Sequence, residues 1–346
     1  MTKMLQKARR LLVPAALLLP LAAGQAPGQE AAGPPGLKTL PAEHGPAAFS
    51  AMMLGVARAG KRIVAVGDHG IVLLSDDGGK SFRQARTVPV RSTLTSVSFA
   101  DEKRGWAAGH WGVIIATVDG GDTWQLQRSE TSLDQPLFSL YFKDKDRGWA
   151  VGLWSLVLAT QDGGRSWKKV QLPAPPGGGK TDRNLFRVFA SAKGTLLIAA
   201  EQGTVLRSND GLSWEYASTG YKGSFWAGTG LPDGTLVVAG LRGTIYRSRD
   251  DGKSWTPCET EAKSSITDLL AVGGKVYAVA LDGVSLESTD RGATFRATQR
   301  QDRAPLTALT AGEDGRLVAF SKQGVVEDFA HPLEDLLAVK GRGSQR

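Results

Sequence analysis

From about residue 50 to residue 325 the chain alternates short apolar runs with tight polar turns. Compare "RIVAVGDHGIVLLSDDGG", "TLLIAAEQGTVLRSNDG", "TLVVAGLRGTIYRSRDDG" and "KVYAVALDGVSLESTDRG". Each phrase reads as an apolar strand, a turn that usually holds Gly, and a second strand rich in β-branched or aliphatic residues. Runs of this length, bounded by Gly, Asn, Asp and Ser, predict strands rather than helices. Another strand lies upstream of each phrase, such as "LTSVSFA" (94–100) or "LFSLYF" (137–142). A fourth follows it, such as "TWQLQR" (123–128).

Every second strand runs into one eight-residue pattern, Ser/Thr-x-Asp-x-Gly-x-Ser/Thr-aromatic. It reads "SDDGGKSF" from Ser75, "TVDGGDTW" from Thr117, "TQDGGRSW" from Thr160, "SRDDGKSW" from Ser248 and "STDRGATF" from Ser288. A copy one residue short, "SNDGLSW", begins at Ser208. The starts lie 42, 43, 48, 40 and 40 residues apart. Four short antiparallel strands recurring at that period are the blade of a β-propeller. The pattern then falls in the hairpin between third and fourth strands. There Asp77, Asp119, Asp162, Asp210, Asp250 and Asp290 can accept turn N–H groups. Trp124, Trp167, Trp214 and Trp255 re-enter the sheet and pack between blades. A signature made six times belongs to the fold, whereas an active site is made once.

Six complete repeats run from about 50 to 298. A seventh begins at "LTALTAG" (306–312), continues as "RLVAFSK" (316–322) and turns at Gln323-Gly324, without the acid turn or a fourth strand. Closing the ring removes unpaired sheet edges. The missing strand is expected from residues 37–43, with "LLAVK" (336–340) as the rival donor. The expected fold class is therefore all-β, a single seven-bladed β-propeller of four-stranded antiparallel blades over residues 37–330. A C-terminal tail, 331–346, follows.

The acid turns are the bacterial neuraminidase repeat, or Asp-box, shared by sialidases, other glycosidases and non-enzymes. The longer phrases "DEKRGWAAGHWGVIIATVDGGDTW" and "DKDRGWAVGLWSLVLATQDGGRSW" resemble the photosystem II stability and assembly factor-like family. The resemblance covers about residues 50–325 and is strongest in blades two and three. It implies a single seven-bladed, exported propeller that assists assembly or stability of a membrane protein complex without catalysing a reaction. In a non-phototroph it implies a periplasmic companion of a membrane transporter.

Composition alters the picture mainly at the ends. Lys3, Lys7, Arg9 and Arg10 precede "LLVPAALLLPLAA", a 13-residue apolar run followed by small residues. This reads as a signal peptide, residues 1–24, because the run is short for a membrane span. Residues 25–36 read as a flexible lead-in. Removing four bases from a net charge of +8 leaves +4, too mild to suggest nucleic-acid binding. The 43 glycines fit a chain of many turns, and the single Cys258 allows no internal disulfide. The expected product is exported to the periplasm or an equivalent lumen, soluble or peripheral on the membrane, and monomeric on its own.

The turns between second and third strands form the face opposite the acid turns and are the expected docking face. His69, His110, Trp111, Trp154 and Arg242 stand on them. Trp111 and Trp154 replace polar residues of other repeats and read either as partner anchors or as caps folded over the blades. The connection "QLPAPPGGGKTDRN" (171–184) belongs to this face as a partner-contacting loop. Its "APPGGGKT" lacks the following helix that a phosphate-binding loop needs, so no nucleotide is expected. No cofactor, metal site or catalytic residue is assigned. The alternative is a glycoside hydrolase of sialidase-like type, for which Asp68, Glu201 and Asp282 are the carboxylates on the right face. That reading lacks an Arg-Ile-Pro segment and has one blade too many.

Overall fold

The computed structural model describes residues 40–178 and 181–327 together with Phe329. The expected leader (1–24), lead-in (25–36), tail (331–346) and rival closing segment (336–340) lie outside the described residues, as do residues 37–39.

Seven sheets follow one another along the sequence, and in each the strands of the blade pair antiparallel in sequence order, blade six carrying one further short strand, Glu259–Thr260, in parallel on its outer edge. Blade one holds Met53–Ala59, Arg62–Gly67, Val72–Ser75 and Arg83–Gln84. Blades two to seven span 94–128, 137–169, 185–218, 225–257, 266–299 and 306–325. First strands of successive blades touch, and the first strand of blade seven touches that of blade one, which closes the ring. At that seam the Thr307 hydroxyl donates to the Met53 carbonyl at 2.5 Å. Met53, Ile63 and Leu73 pack there with Val318 and Phe320. Second strands such as Arg62–Gly67, Leu196–Ala200 and Leu236–Gly240 are almost wholly buried. They sit inside a blade flanked by two others, so both faces want apolar side chains and the period-two alternation disappears.

The core is divided among blade interfaces. Trp106, Ala108 and Ile114 of blade two, for example, pack on Leu137, Leu140 and Phe142 of blade three, with the Trp106 and Phe142 rings stacked at 3.5 Å. Stability is then close to a sum of blades and nearest-neighbour contacts.

The acid turns join third to fourth strands in six blades. The leading Ser/Thr hydroxyl donates to its aspartate at 2.7–3.0 Å. The same oxygen accepts the N–H of the turn glycine at 2.8–3.0 Å. Asp162 also accepts from the Ser166 hydroxyl at 2.6 Å and the Ser166 N–H at 2.9 Å. Those two bonds and the Thr160 hydroxyl hold its pKa at about 2. At Asp210 the N–H groups of Ser213 and Leu212 lead in holding it at about 2. The indole N–H groups of Trp124, Trp214 and Trp255 close their own turns onto Gly121, Gly211 and Gly252 carbonyls. These three rings are buried. Trp167 is half-buried beside blade two, and its indole nitrogen has no hydrogen-bond partner among the described residues.

Only residues 40–43 of the expected closing segment are described. Of the segment 37–43, residues 41–43 lie against the exit of blade one. The Ala42 N–H donates to the Val88 carbonyl at 3.0 Å, Gln84 donates to the Glu43 carbonyl at 2.6 Å, and Arg91 pairs with Glu43 at 2.9 Å. Among the described residues blade seven has three strands, Leu306–Ala311, Leu317–Ser321 and Gly324–Val325, and residues 40–43 add none. The physical reason lies a few residues on. Pro46–Ser50 forms a 3-10 turn that takes, beneath the Gly324 turn of blade seven, the place an inter-blade connection takes under every other turn. A Cβ on Gly324 would strike the Phe49 carbonyl. The backbone enters blade one by this route, which leaves residues 41–43 at the exit of blade one, away from blade seven.

Candidate partner-binding face

The face opposite the acid turns is built by the turns between second and third strands. In five blades these are short 3-10 turns: Asp68–Gly70, His110–Gly112, Leu153–Ser155, Leu241–Gly243 and Leu281–Gly283. Blade four carries the equivalent turn, where the Thr204 N–H donates to the Glu201 carbonyl at 3.2 Å. The middle residue lies in the left-handed region throughout: His69, Trp111, Trp154, Gln202, Arg242 and Asp282 have φ of 54–59°. Two successive left-handed residues match the twist of the flanking strands, and glycine serves best at the second. A Cβ on Gly70 would run into the Val90 carbonyl, and one on Gly203 into that of Tyr221. Each turn is thus pressed onto the connection leading to the next blade. The first position has room, yet non-glycine residues there cost of order 1–3 kcal/mol in backbone strain. Side chains of five different kinds are held up on identical strained pedestals.

The expected docking residues take different roles. His69 and Arg242 are exposed, and His110 is half-buried. Trp154 is 48% exposed. Trp111 is half-buried and packs on the core between blades one and two. The two tryptophans therefore share one backbone conformation and divide the two readings between them: Trp111 caps, and Trp154 presents its ring to solvent. Blade three also has Ser155 where the others have glycine, at φ 55°. Its N–H donates to the Arg183 carbonyl at 2.7 Å and its hydroxyl to the Thr181 carbonyl at 2.9 Å. The long connection 171–184 therefore hangs from this turn.

A feature not singled out from the sequence lies on the inner wall beneath this face. In every blade the first strand skips one residue of its ladder at the second position. The skipped residues are Leu54, Thr95, Phe138, Phe186, Trp226, Thr267 and Thr307. Thr95, Thr267 and Thr307 each donate to the carbonyl that opens the next blade, at 2.7, 3.0 and 2.5 Å. In blades three to five the bulge is aromatic instead. Phe138 stacks on Phe186 at 5.6 Å, and Phe186 meets Trp226 edge-on at 6.4 Å. The signal was present as "LF", "LF" and "FW" against "LT", "IT" and "LT" at the same repeat position. Next to them Arg187 of blade four reaches Asp268 of blade six at 3.6 Å. Burial pushes the Asp268 carboxyl up, against the pull of Arg187 and of the Leu309 and Leu269 N–H groups.

The carboxylates weighed for hydrolysis are not brought together. Asp68 accepts from Thr93 at 2.9 Å, Glu201 from Asn184 at 2.7 Å and Asp282 from Ser264 at 3.4 Å, on blades one, four and six. No three His, Cys, Asp or Glu side chains among the described residues converge as metal donors. Burial pushes the Cys258 thiol up to about 11, so it is neutral at physiological pH. No described helix is long and apolar enough to cross a membrane.

Comparison with known structures finds a protein described as YCF48 bound to D1 peptide, at a TM-score of 0.64 and 18% identity. The match covers 83% of this protein and 98% of that one. YCF48 from Cyanidioschyzon merolae gives a TM-score of 0.63 at 16% identity, covering 80% and 94%. At these identities the likeness establishes the fold. Comparison with curated protein sequences finds no match. The sequence profile described as "Photosynthesis system II assembly factor YCF48" matches residues 84–264. This span reaches from the end of blade one into the connection before blade six and covers just over half of the protein, which therefore belongs to that family.

Proposed function

We propose that this protein is a non-catalytic assembly factor that uses the face opposite its acid turns to hold a segment of a membrane protein partner. Membership of the assembly-factor family carries the reading, and the solved relative bound to a D1 peptide supports a polypeptide as the ligand. The variable turns on strained pedestals and the exposed Trp154 ring supply what docking requires: rigid, amphipathic anchors on a fixed frame. The scattered carboxylates favour binding over glycoside hydrolysis, which needs two carboxyl groups flanking one bond. The acid turns are Asp-box corners that tie the ring together. The N-terminal residues act as an export signal, placing the propeller in the periplasm or an equivalent lumen beside the membrane. In a phototroph the partner is a photosystem subunit, and otherwise a transporter.

Affinity capture from detergent-solubilised membranes tests this. The wild-type protein should retain one discrete membrane protein. Trp154→Ala should lose it at an unchanged melting temperature. Failure of the wild-type protein to retain any membrane protein, or turnover of a panel of glycosides, would overturn the reading.

A further inference from the structure

The connection from blade three to blade four is long and rich in proline, and it gives the outer edge of the next blade no backbone pairing among the described residues. Two connections strap the outer edge of the following blade. Glu259–Thr260 pairs in parallel with Thr294 and Phe295 on blade six, and Thr87 bridges Thr123 on blade two. The connection 171–184 contains Pro173, Pro175 and Pro176, which have no N–H to give. The fourth strand of blade four, Glu215–Ser218, pairs on its inner side with Thr204–Ser208. Its outer edge takes no backbone hydrogen bond from the described residues. The Tyr216 hydroxyl instead reaches the Pro173 carbonyl at 3.2 Å.

Between connection and strand lies a cavity of about 440 Å³, with Pro175, Pro176, Arg183, Gln202, Tyr216 and Lys222 around it. Arg183 and Lys222 bring positive charge, and no carboxylate among the described residues lines the space. Of the carboxylates nearby, Glu201 accepts from Asn184 and Glu215 pairs with Arg207, and Asp182, which precedes Arg183, is exposed and does not line the space. Arg183 is fixed in advance. Its Nε donates to Gln202 at 3.2 Å, its guanidinium lies 5.7 Å from the centre of the Tyr216 ring, and its carbonyl is held by Ser155.

We infer that this cavity binds an acidic segment of the partner polypeptide. The segment lies extended along the edge of Glu215–Ser218 and places a carboxylate on Arg183 and Lys222. An open strand edge offers a backbone template, and two cations with no carboxylate beside them in the cavity select an anion. A Glu or Asp side chain and the carboxyl terminus of a polypeptide supply the same chemistry. The inference rests on the proposed assembly role and assigns that role a second contact.

Arrays of acetylated pentapeptides, probed with the full-length protein, test it. One series has a central Glu, random flanks and an amidated end. A second has central Lys. A third has central Ala and a free carboxyl terminus. Either carboxylate-bearing series should be retained about tenfold better than the Lys series, and which of the two wins identifies the carboxylate's source. Arg183→Gln with Lys222→Gln should erase the preference, and N-methylation of alternate peptide nitrogens should abolish retention. Equal retention of all three series, or an unchanged preference in the double variant, overturns the inference. Should the double variant melt early, Lys222→Glu alone decides: the preference must move towards the Lys series. Membrane capture is scored separately, so that loss of all partners by the wild-type protein fails the assembly reading while the arrays still judge the cavity.

Discussion

The two faces of the ring are made from equivalent hairpin ends, and they are specified in opposite ways. On one face six turns repeat the same acid, hydroxyls and glycine, and their hydrogen bonds agree to within a few tenths of an ångström. On the other, six turns repeat only a backbone conformation, and the residue at its apex varies from His to Trp, Gln, Arg and Asp. Repetition of side chains marks the face that holds blades together. There the Trp106 and Trp149 indoles of one blade donate to Gly163 and Gly211 in the next blade's turn, at 3.0 and 2.9 Å. Repetition of backbone under variable side chains marks a frame on which chemistry can be exchanged.

The largest effect that would break this contrast is on the uniform face. Trp124→Ala removes a buried ring and its bond to Gly121 and should cost about 3–5 kcal/mol, read as a lower denaturant midpoint. A loss below about 1 kcal/mol on that measurement would show that the turn does not pin the blades. Next, Trp111→Ala should cost about 1–2 kcal/mol, because a half-buried ring leaves the core between blades one and two. This separates it from its neighbour in blade three. Asp119→Asn keeps the shape but weakens an acceptor of four bonds and should cost about 1 kcal/mol, by the same denaturant assay.

The acid turns also set a pH window. Asp162 and Asp210 titrate at about 2 when folded against 3.8 ordinarily. The folded state thus favours the charged form. The stability this supplies is complete above the ordinary carboxylate range and drains away as pH falls from about 4 through about 2. Unfolding midpoints measured across that window should fall, and Asp162→Asn should flatten the slope. Last, Trp154→Ala should change stability by less than about 0.5 kcal/mol while abolishing partner capture. Equal stability losses for Trp154 and Trp111 would erase the distinction between anchor and cap.

Much of this is legible in the sequence. The forty-residue period names the blade, and the six-fold acid turn places itself at a hairpin. The apolar second strands announce burial on both faces. The turn apices could be enumerated residue by residue. What they do there could not. Trp111 and Trp154 read alike as letters, and only the packing of neighbouring blades buries one and leaves the other open. The aromatic bulges at Phe138, Phe186 and Trp226 were visible as a recurring pair of letters. Their meeting along one inner wall required blades three, four and five to pack side by side.

By itself, then, the sequence determined the unit: strand lengths, turn chemistry and the number of repeats follow from local periodicity and backbone preference, which act over a few residues. The tertiary structure decided everything that depends on distant segments meeting. It set Pro46–Ser50 under the Gly324 turn, the Arg187–Asp268 reach across blades and the cationic cavity between the proline-rich connection and the edge of blade four. Such contacts join residues whose separation in sequence carries no periodic signal, and they exist only once the blades have packed on one another.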